Sequence, residues 1–364
     1  MRVPIIGMGG AGSRPVFLPS HTSEPGTSGP GASEPGTSER SDEETMTRTG
    51  LIDVHAHFVT EEYVAAARAA GIDHPDGMPG WPGWSAEAHL ALMDRGGIDK
   101  AYLSVSSPGV HFGDDLAAAA LARAVNDAGA AVRDRHPDRF GHFAALPLPD
   151  VEASVAEVAD ALDVRGSDGV LVESNHRGRY LGDARLDPLW HQLDRRDALV
   201  FVHPTSPPYA EAVTGNRPRP MLEFLFDTAR AAADLMLAGV LARFPRIRWI
   251  LTHGGGVLPL LTDRMELFRQ VLSAGTPDEA TVADQLGRFW FDMAGTPFPR
   301  QMPALDAVVG TRQVVYGSDY CWTPPDLVLD QIRSIDTAGP PADGATWRDL
   351  TTRNARRLLS GGTA

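Results

Sequence analysis

The sequence predicts an α/β protein, a (β/α)₈ TIM barrel. Eight short apolar runs rich in β-forming residues alternate with amphipathic helical stretches. The runs are nearly continuous in their hydrophobicity, which is typical of parallel strands covered on both faces. The eight units span residues 51 to about 320, close to the usual barrel length of about 250 residues. A doubly wound open sheet is the alternative.

The strands are expected where apolar runs end in polar residues. In chain order they are LIDVH (51–55), KAYLSVS (100–106), FGHFAAL (140–146), DGVLVES (168–174), LVFVH (199–203), RWILTH (248–253), FWFDMA (289–294) and QVVYGSD (313–319). Helices are expected between them, several starting behind Ser, Asp or Pro. Examples are residues 85–97, 115–136, 151–162, 188–196 and 326–335.

Composition limits the classes of partner. The 364 residues are 43% hydrophobic and 22% charged, as in soluble globular proteins, and the net charge of −14 argues against nucleic acid and anionic membranes as partners. No apolar run reaches the roughly 18 residues of a membrane span. Cys321 is the single cysteine, so no intrachain disulfide can form, and we expect a cytoplasmic location.

The first 49 residues differ in composition from the rest. They contain SEPGTS twice, at 23–28 and 33–38, in a segment rich in Ser, Gly, Pro and Glu. Such a segment cannot bury a core, so we predict a disordered tail over 1–49 and a barrel domain over 50–364. Met46 is a hypothetical true start. The intact mass of protein made from the native gene tests this, and a full-length mass contradicts it.

Polar residues at the strand ends indicate a metal site. His55 and His57 flank Ala56 at the end of the first strand, so alternation places both on one side of the chain. His203, His253 and Asp319 end strands 5, 6 and 8. The carboxyl ends of barrel strands meet on one face. Three histidines and a carboxylate suit one divalent metal, zinc most naturally.

These motifs carry a family resemblance. DVHAH, VFVHP, ILTHGGG and YGSDY resemble the metal motifs of the amidohydrolase superfamily. They are most similar to its second branch, the 2-amino-3-carboxymuconate-6-semialdehyde decarboxylase-like group. Within that branch, SSPGVHFGDD, GRYLGD, HPTSPP and the long segment FDTARAAADLMLAGVLARFPRIRWILTHGGG resemble the 6-methylsalicylate decarboxylase-like set. The resemblance covers residues 51 to about 360 and implies a barrel of the amidohydrolase type.

The resemblance implies a role for each strand-end residue. His55, His57, His203 and Asp319 would bind one divalent metal, with zinc expected, manganese as the alternative and no organic cofactor. His253 would not ligate the metal but would act as acid or base on bound water or substrate. Asp319 would also carry a proton on its free oxygen. These two residues are therefore the catalytic candidates.

Two further residues bear on the number of metals. The resemblance implies that binuclear members bridge their metals with a carboxylated lysine at the end of strand 4. The single lysine, Lys100, lies at the start of strand 2, which favours a mononuclear site. Glu173 stands at the end of strand 4. We expect it to orient a ligand or the substrate, although a carboxylate there could also bridge a second metal.

Aromatic and basic residues in the loops are candidates for substrate contacts. Trp84 lies in the Pro/Gly-rich loop after the first helix, and Trp322 and Phe298 follow strands 8 and 7. Flat side chains suit a planar substrate, although each could instead pack the loop onto the barrel. Arg230, in FDTAR, is the candidate for a substrate carboxylate by resemblance, or a surface ion-pair residue.

The expected activity is non-oxidative decarboxylation of a small aromatic or enol-like carboxylic acid, such as an ortho-hydroxybenzoate like 6-methylsalicylate. The ring itself takes up the electrons, so no organic cofactor is required. The first alternative is a metal-dependent hydrolase of a lactone, ester or amide, with His253 as the base. The second is a non-catalytic binding protein on the same fold. The resemblance also implies a homo-oligomer, a dimer or larger, and suggests secondary metabolism.

Overall fold

The computed structural model describes residues 49–272 and 280–362. The predicted tail lies outside the described residues, except for residue 49. No helix in the described part of the chain is both long enough and apolar enough to cross a membrane.

Eight parallel strands form the barrel, as the sequence predicts. Each pairs with the next in chain order. They are β1 Leu51–His57, β2 Ile98–Ser104, β3 Phe140–Ala145, β4 Gly169–Glu173, β5 Leu199–His203, β6 Arg248–Leu251, β7 Phe289–Asp292 and β8 Val314–Val315. A small antiparallel hairpin follows β4, pairing Asn175–His176 with Arg179–Tyr180.

Helices cover the outside of the strands. They are α1 Glu61–Ala69, α2 Ala86–Gly96, α3 Asp115–Arg135, α4 Val151–Val158, α5 Asp187–Asp194, α6 Ala210–Thr214, α7 Glu223–Leu237, α8 Val240–Arg243, α9 Leu258–Leu272, α10 Val282–Leu286, α11 Met302–Val309, α12 Pro325–Thr337 and α13 Trp347–Leu359. Side-chain caps fix several starts: Ser85, Asp114 and Asp150 each accept a backbone N–H from the first turn of α2, α3 and α4.

Six strands end earlier than predicted, and at two of them the difference concerns a candidate site residue. The sequence predicts strand 6 to His253 and strand 8 to Asp319, but β6 ends at Leu251 and β8 at Val315. His253 and Asp319 have φ values of 53° and 57°, in the left-handed region that a strand cannot contain. The two polar residues therefore lie just beyond their strands, in strained backbone of the kind found at functional sites.

The barrel closes between β1 and the segment that follows β8. Isolated parallel bridges join Asp53 to Tyr316 and Ala56 to Tyr320. The buried carboxylate of Asp53 reinforces this seam, because its Oδ1 accepts the backbone N–H groups of His55 and Ser318, each at 3.0 Å. One side chain thereby joins the first strand to the end of the last.

Candidate metal centre and catalytic cavity

Four side chains converge at the carboxyl end of the barrel. His55, His57, His203 and Asp319 each offer one ligand atom, and these atoms all lie within 4.8 Å of one another. Nε2 of His55 lies 2.9 Å from Nε2 of His57, and Oδ1 of Asp319 lies 3.5 and 3.3 Å from the same two atoms. The side chains of the three histidines are almost completely buried, while Asp319 is 20% exposed.

The outer nitrogen of each of these histidines is held by the protein. Nδ1 of His55 contacts Asp292 Oδ2 at 2.8 Å, and Nδ1 of His203 contacts the carbonyl of Pro204 at 2.7 Å. Nδ1 of His57 lies 3.2 Å from Ser104 Oγ. An Nδ1–H that donates outwards leaves Nε2 as a lone pair pointing into the cluster. The donor set therefore fits one divalent cation.

A bulge in β1 aims its two histidines. The pairing of β1 with β2 shifts register between Asp53 and Ala56. One hydrophobic cluster has members from all eight strands and forms the barrel interior. Val54 packs in this cluster, and yet the adjacent His55 also faces inwards. An extra residue in a strand allows two neighbours to face the same way. Strict alternation predicts His55 and His57 on one side, but it does not predict this bulge.

His253 lies beside the cluster and outside the group of four. Its Nε2 is 3.5 Å from Asp319 Oδ2, the oxygen that does not face the two β1 histidines. Its backbone N–H donates to Asp292 Oδ1 at 2.8 Å, and its Nδ1 is buried with no hydrogen-bond partner among the described residues. The imidazole is therefore placed to exchange a proton with Asp319 and with a molecule in the cavity.

Asp292 was not singled out by the sequence analysis. It ends β7 within FWFDMA, is fully buried, and holds both the His55 side chain and the His253 backbone. The signal was present in the sequence, because a carboxylate ends strand 7 much as Asp319 follows strand 8. Its function is apparent only once the long-range contact with His55 is known.

Burial and neighbouring charges set the protonation states. Burial lowers the pKa of His57, and lowers that of His203 well below its usual value, so both imidazoles are neutral. Burial alone would raise the pKa of Asp319, but His55 and a hydrogen bond from His253 outweigh it and keep the pKa well below its usual value. Burial alone would lower the pKa of His55, but the carboxylates of Asp292 and Asp319 outweigh it and raise the pKa to about 10. In the metal-free protein the cluster therefore combines two neutral imidazoles with a protonated His55 and an ionised Asp319.

A cavity of about 340 Å³ opens onto the cluster. Its lining combines polar groups with an apolar wall: Asp76, Met78, Ser106, Ser107, His203, Pro220, Met221, Phe224, Leu225, His253, Ala294, Gly295, Thr296, Gln301, Asp319, Trp322 and Thr323. This volume suits a single aromatic ring with small substituents. No lysine or arginine lines it among the residues that the structure describes, so the cationic group expected from the sequence does not come from this lining.

The three aromatic candidates have different places. Trp322 lines the cavity, packs on Trp81 at 5.8 Å between ring centroids, and has a buried Nε1 with no hydrogen-bond partner among the described residues. Trp84 does not line it, because its indole donates to His89 and packs against Phe58. Phe298 is also absent from the lining and packs against Trp347 instead. Of these three candidates, Trp322 alone lines the cavity.

Arg230 and Glu173 also lie outside the catalytic cavity. The Arg230 side chain is 50% exposed and pairs with the buried Asp227 at 3.5 Å, three residues earlier on α7, so it faces away from the cluster. Glu173 lines a different cavity, although its Oε2 lies 3.8 Å from Nδ1 of His203. Lys100, at the amino end of β2, donates to the Pro137 carbonyl and is remote from any bridging position.

Comparisons with known proteins identify the family to which the chain is similar. A family model described as amidohydrolase matches residues 52–361. A 6-methylsalicylic acid decarboxylase of Penicillium expansum is 35% identical over 76% of this chain and 87% of its own length. A solved amidohydrolase II shares 32% identity with a TM-score of 0.79, covering 85% of this chain and all of the other.

A more distant solved structure matches in fold. It is a dihydroxybenzoic acid decarboxylase of a Polaromonas species with bound manganese and 2-nitroresorcinol, 24% identical, with a TM-score of 0.73 over 86% of this chain and 97% of the other. The family model covers most of the chain, and its match runs from the first strand to the last helix. This chain belongs to the amidohydrolase family.

Proposed function

We propose that this protein is a metal-dependent, non-oxidative decarboxylase of a small ortho-hydroxybenzoate such as 6-methylsalicylate. The observation that carries the proposal is the convergence of three imidazole nitrogens and one carboxylate at a cavity sized for one ring. The activity of the Penicillium expansum relative, as its name states, supports the same reaction.

One divalent ion held by His55, His57, His203 and Asp319 would act as a Lewis acid on the substrate's oxygen atoms. Zinc is the ion we propose, because imidazole nitrogen predominates in the donor set. Manganese, present in the Polaromonas neighbour, is the alternative. Elemental analysis of protein purified without added metal, expected to find one ion per chain, decides between them.

Two side chains of the protein would supply the proton that replaces the carboxylate on the ring. His253 Nε2 and Asp319 Oδ2 face each other at 3.5 Å, so a proton on this pair can reach the ring carbon that bears the carboxylate. As that C–H bond forms, the ring's electrons move to the new bond and aromaticity is interrupted. The C–C bond to the carboxylate then breaks, its electron pair restores the ring, and carbon dioxide leaves. The net change is replacement of the carboxylate by hydrogen.

The cavity wall orients the ring. Trp322 offers an indole face and an unpartnered N–H, and Phe224, Leu225 and Met221 supply apolar contact. Ser106, Ser107, Thr296 and Thr323 are the hydroxyl-bearing side chains of the lining. Because no lysine or arginine of the described residues lines the cavity, the substrate carboxylate would depend on the metal and these neutral donors.

The test is a panel of 2-hydroxybenzoates, including 6-methylsalicylate, incubated with metal-replete protein. We expect carbon dioxide and the corresponding phenol in equal amounts from at least one member. Silence across the panel with metal bound contradicts the proposal and directs attention to lactones and aryl esters, the substrates of the hydrolase alternative. Protein that binds no metal would favour a non-catalytic binding role.

We also propose a cytoplasmic homo-oligomer. The single cysteine, Cys321, is buried and supports a reducing compartment. Exposed apolar side chains on α9, among them Leu260, Leu267 and Val271, support association between copies. Light scattering after size exclusion should give at least twice the 39.0 kDa chain mass, and a monomer would contradict the oligomer.

A further inference from the structure

A second cavity lies beside the catalytic one. Its volume is about 710 Å³, and it opens among the loops after β2, β3, β4 and β5 at the same end of the barrel. Its lining shares no residue with the catalytic cavity. The wall between them includes the contact of Ser107 Oγ with Thr205 Oγ1 at 2.7 Å. The two spaces are therefore separate but adjacent.

Two buried polar side chains line this cavity without satisfied hydrogen bonds. Glu173 is 4% exposed, and neither of its carboxyl oxygens has a partner among the described residues. His176 is 9% exposed, and its Nε2 is also unpartnered. Buried polar groups in native proteins are almost always hydrogen-bonded, so two such groups at one cavity indicate a missing partner. Burial lowers the pKa of His176 to about 3, which keeps its imidazole neutral.

The remaining lining combines polar side chains, among them His111, Arg177 and Ser206, with an apolar wall that could hold a ring. Leu146, Leu148, Leu171 and Val110 provide an apolar wall. Tyr209 stands at the mouth with a left-handed φ of 62° and its side chain 87% exposed. A ligand that fits has a flat apolar body and one polar end that both donates and accepts a hydrogen bond.

We propose that this second cavity is a binding site for a small neutral phenol, whose hydroxyl group bonds to Glu173 and His176 while its ring packs on the leucine wall. A phenol has one donor and one acceptor on one oxygen, so its hydroxyl group can satisfy one unpartnered acceptor and one unpartnered donor of the lining. Arg177 also lines the cavity but is exposed, so a carboxylate that reached the buried end would face the acidic Glu173 side chain. An ammonium would bring three donors to two unpartnered groups. The phenol produced by decarboxylation is the natural occupant, a point that rests on the proposed function.

A ligand in the second cavity would be linked to the metal centre through Glu173. Oε2 of Glu173 lies 3.8 Å from Nδ1 of His203, whose Nε2 belongs to the ligand group. A hydroxyl bound to Glu173 would change the field at His203 without entering the catalytic cavity. Binding of phenol should therefore alter turnover without competing with the carboxylate substrate.

The direct test locates the ligand in crystals of the metal-replete protein soaked in 4-bromophenol. We expect an anomalous bromine peak within the second cavity, with the phenolic oxygen near Glu173 and His176. Bromine only in the catalytic cavity, or no ordered bromine, overturns the proposal. Because the probe carries no carboxylate, this outcome is independent of whether the protein decarboxylates anything.

A measurement in solution tests whether the ligand binds only at the high concentrations used to soak crystals. Calorimetric titration of 4-bromophenol should detect the site in the parent protein, and His176→Leu should weaken it about tenfold through loss of one hydrogen bond. His191→Leu, which alters an exposed histidine on α5, is the matched control and should leave the affinity unchanged. Equal affinity in His176→Leu and the parent, or no binding in solution, contradicts the assignment.

Discussion

Oδ2 of Asp292 lies 2.8 Å from Nδ1 of His55, and both side chains are fully buried. This contact joins the end of β7 to the end of β1, fixes which imidazole nitrogen carries the proton and orients the other nitrogen towards the cluster. The second Asp292 oxygen holds the backbone of His253. One carboxylate therefore positions both a metal-ligand candidate and the neighbouring acid–base candidate.

Replacing Asp292 with Asn should weaken metal binding by about 10- to 100-fold, as is typical when the carboxylate behind a ligating histidine is lost. Competition with a chelator measures the affinity. Asp115→Asn is the matched control, because Asp115 also contacts a histidine, Nε2 of His111 at 2.7 Å, but away from the cluster. Equal metal affinity in the two variants would contradict the positioning role of Asp292.

Asp319→Asn should abolish decarboxylation, with a loss of at least about a thousandfold, because the amide neither carries a transferable proton nor matches the carboxylate as a ligand. His253→Asn should retain the metal, since His253 lies outside the ligand group, but lower kcat by about 10²- to 10⁴-fold. Steady-state rates with measured metal content separate the two effects. Activity of Asp319→Asn within tenfold of the parent would exclude its assigned role.

Metal binding should release a proton. In the metal-free protein Asp292 and Asp319 raise the pKa of His55 to about 10, so its ring is protonated at pH 8, and a metal must displace that proton. Affinity should therefore rise about tenfold per pH unit up to about pH 10 and then level off. Calorimetry in buffers of different ionisation enthalpy counts the protons. Release of none at pH 8 would contradict the charged state of His55.

Trp322→Phe should raise KM for the aromatic acid about tenfold, because it removes the unpartnered indole N–H and part of the ring contact. Trp84→Phe is the control with the same change of side chain at a position packed on Phe58, outside the cavity lining, and should change KM less than about threefold. If both variants behave alike, Trp322 does not contact the substrate.

Asp53→Asn should change how stability depends on pH. Burial, only partly offset by its hydrogen bonds with Ser318 and His55, raises the pKa of Asp53 from 3.8 to about 7. The stabilisation from its uncharged form is complete below pH 3.8 and is lost as pH rises to about 7. The variant should therefore gain stability relative to the metal-free parent across that interval, on the order of 4 kcal/mol, and no further above it. Urea unfolding at several pH values measures the difference, and a constant difference would contradict it.

The sequence predicted the barrel and the residues at its strand ends because both depend on local pattern. The period of the hydrophobic pattern, the length of each apolar run and the turn residues predict where the strands lie. The carboxyl ends of parallel barrel strands share one face, independently of the conformation of the loops. His55, His57, His203, His253 and Asp319 were therefore predicted to meet without knowledge of any contact, and the family resemblance separated His253 from the other four.

Residues that depend on loop geometry or on long-range partners were not predictable in the same way. The Asp292–His55 contact spans 237 positions and leaves no local pattern. Arg230 was chosen by family resemblance, but it pairs with Asp227 on α7 and its side chain is 50% exposed. The packing of the loops places Trp84 against Phe58 and Phe298 against Trp347, outside the cavity lining. Helix phase and loop packing decide which side chains reach a cavity.

The closure of the barrel by Asp53 has a consequence for synthesis on the ribosome. Its partner, Ser318, lies 265 positions further along the chain, in the loop that also carries Asp319. The first strand emerges early but lacks one neighbour until almost the whole chain has been translated. His55 and His57 are therefore translated long before Asp319, so the ligand group stays incomplete until that segment has been made. We expect the nascent protein to acquire metal only after release, or to rely on a chaperone that shields the open edge until then.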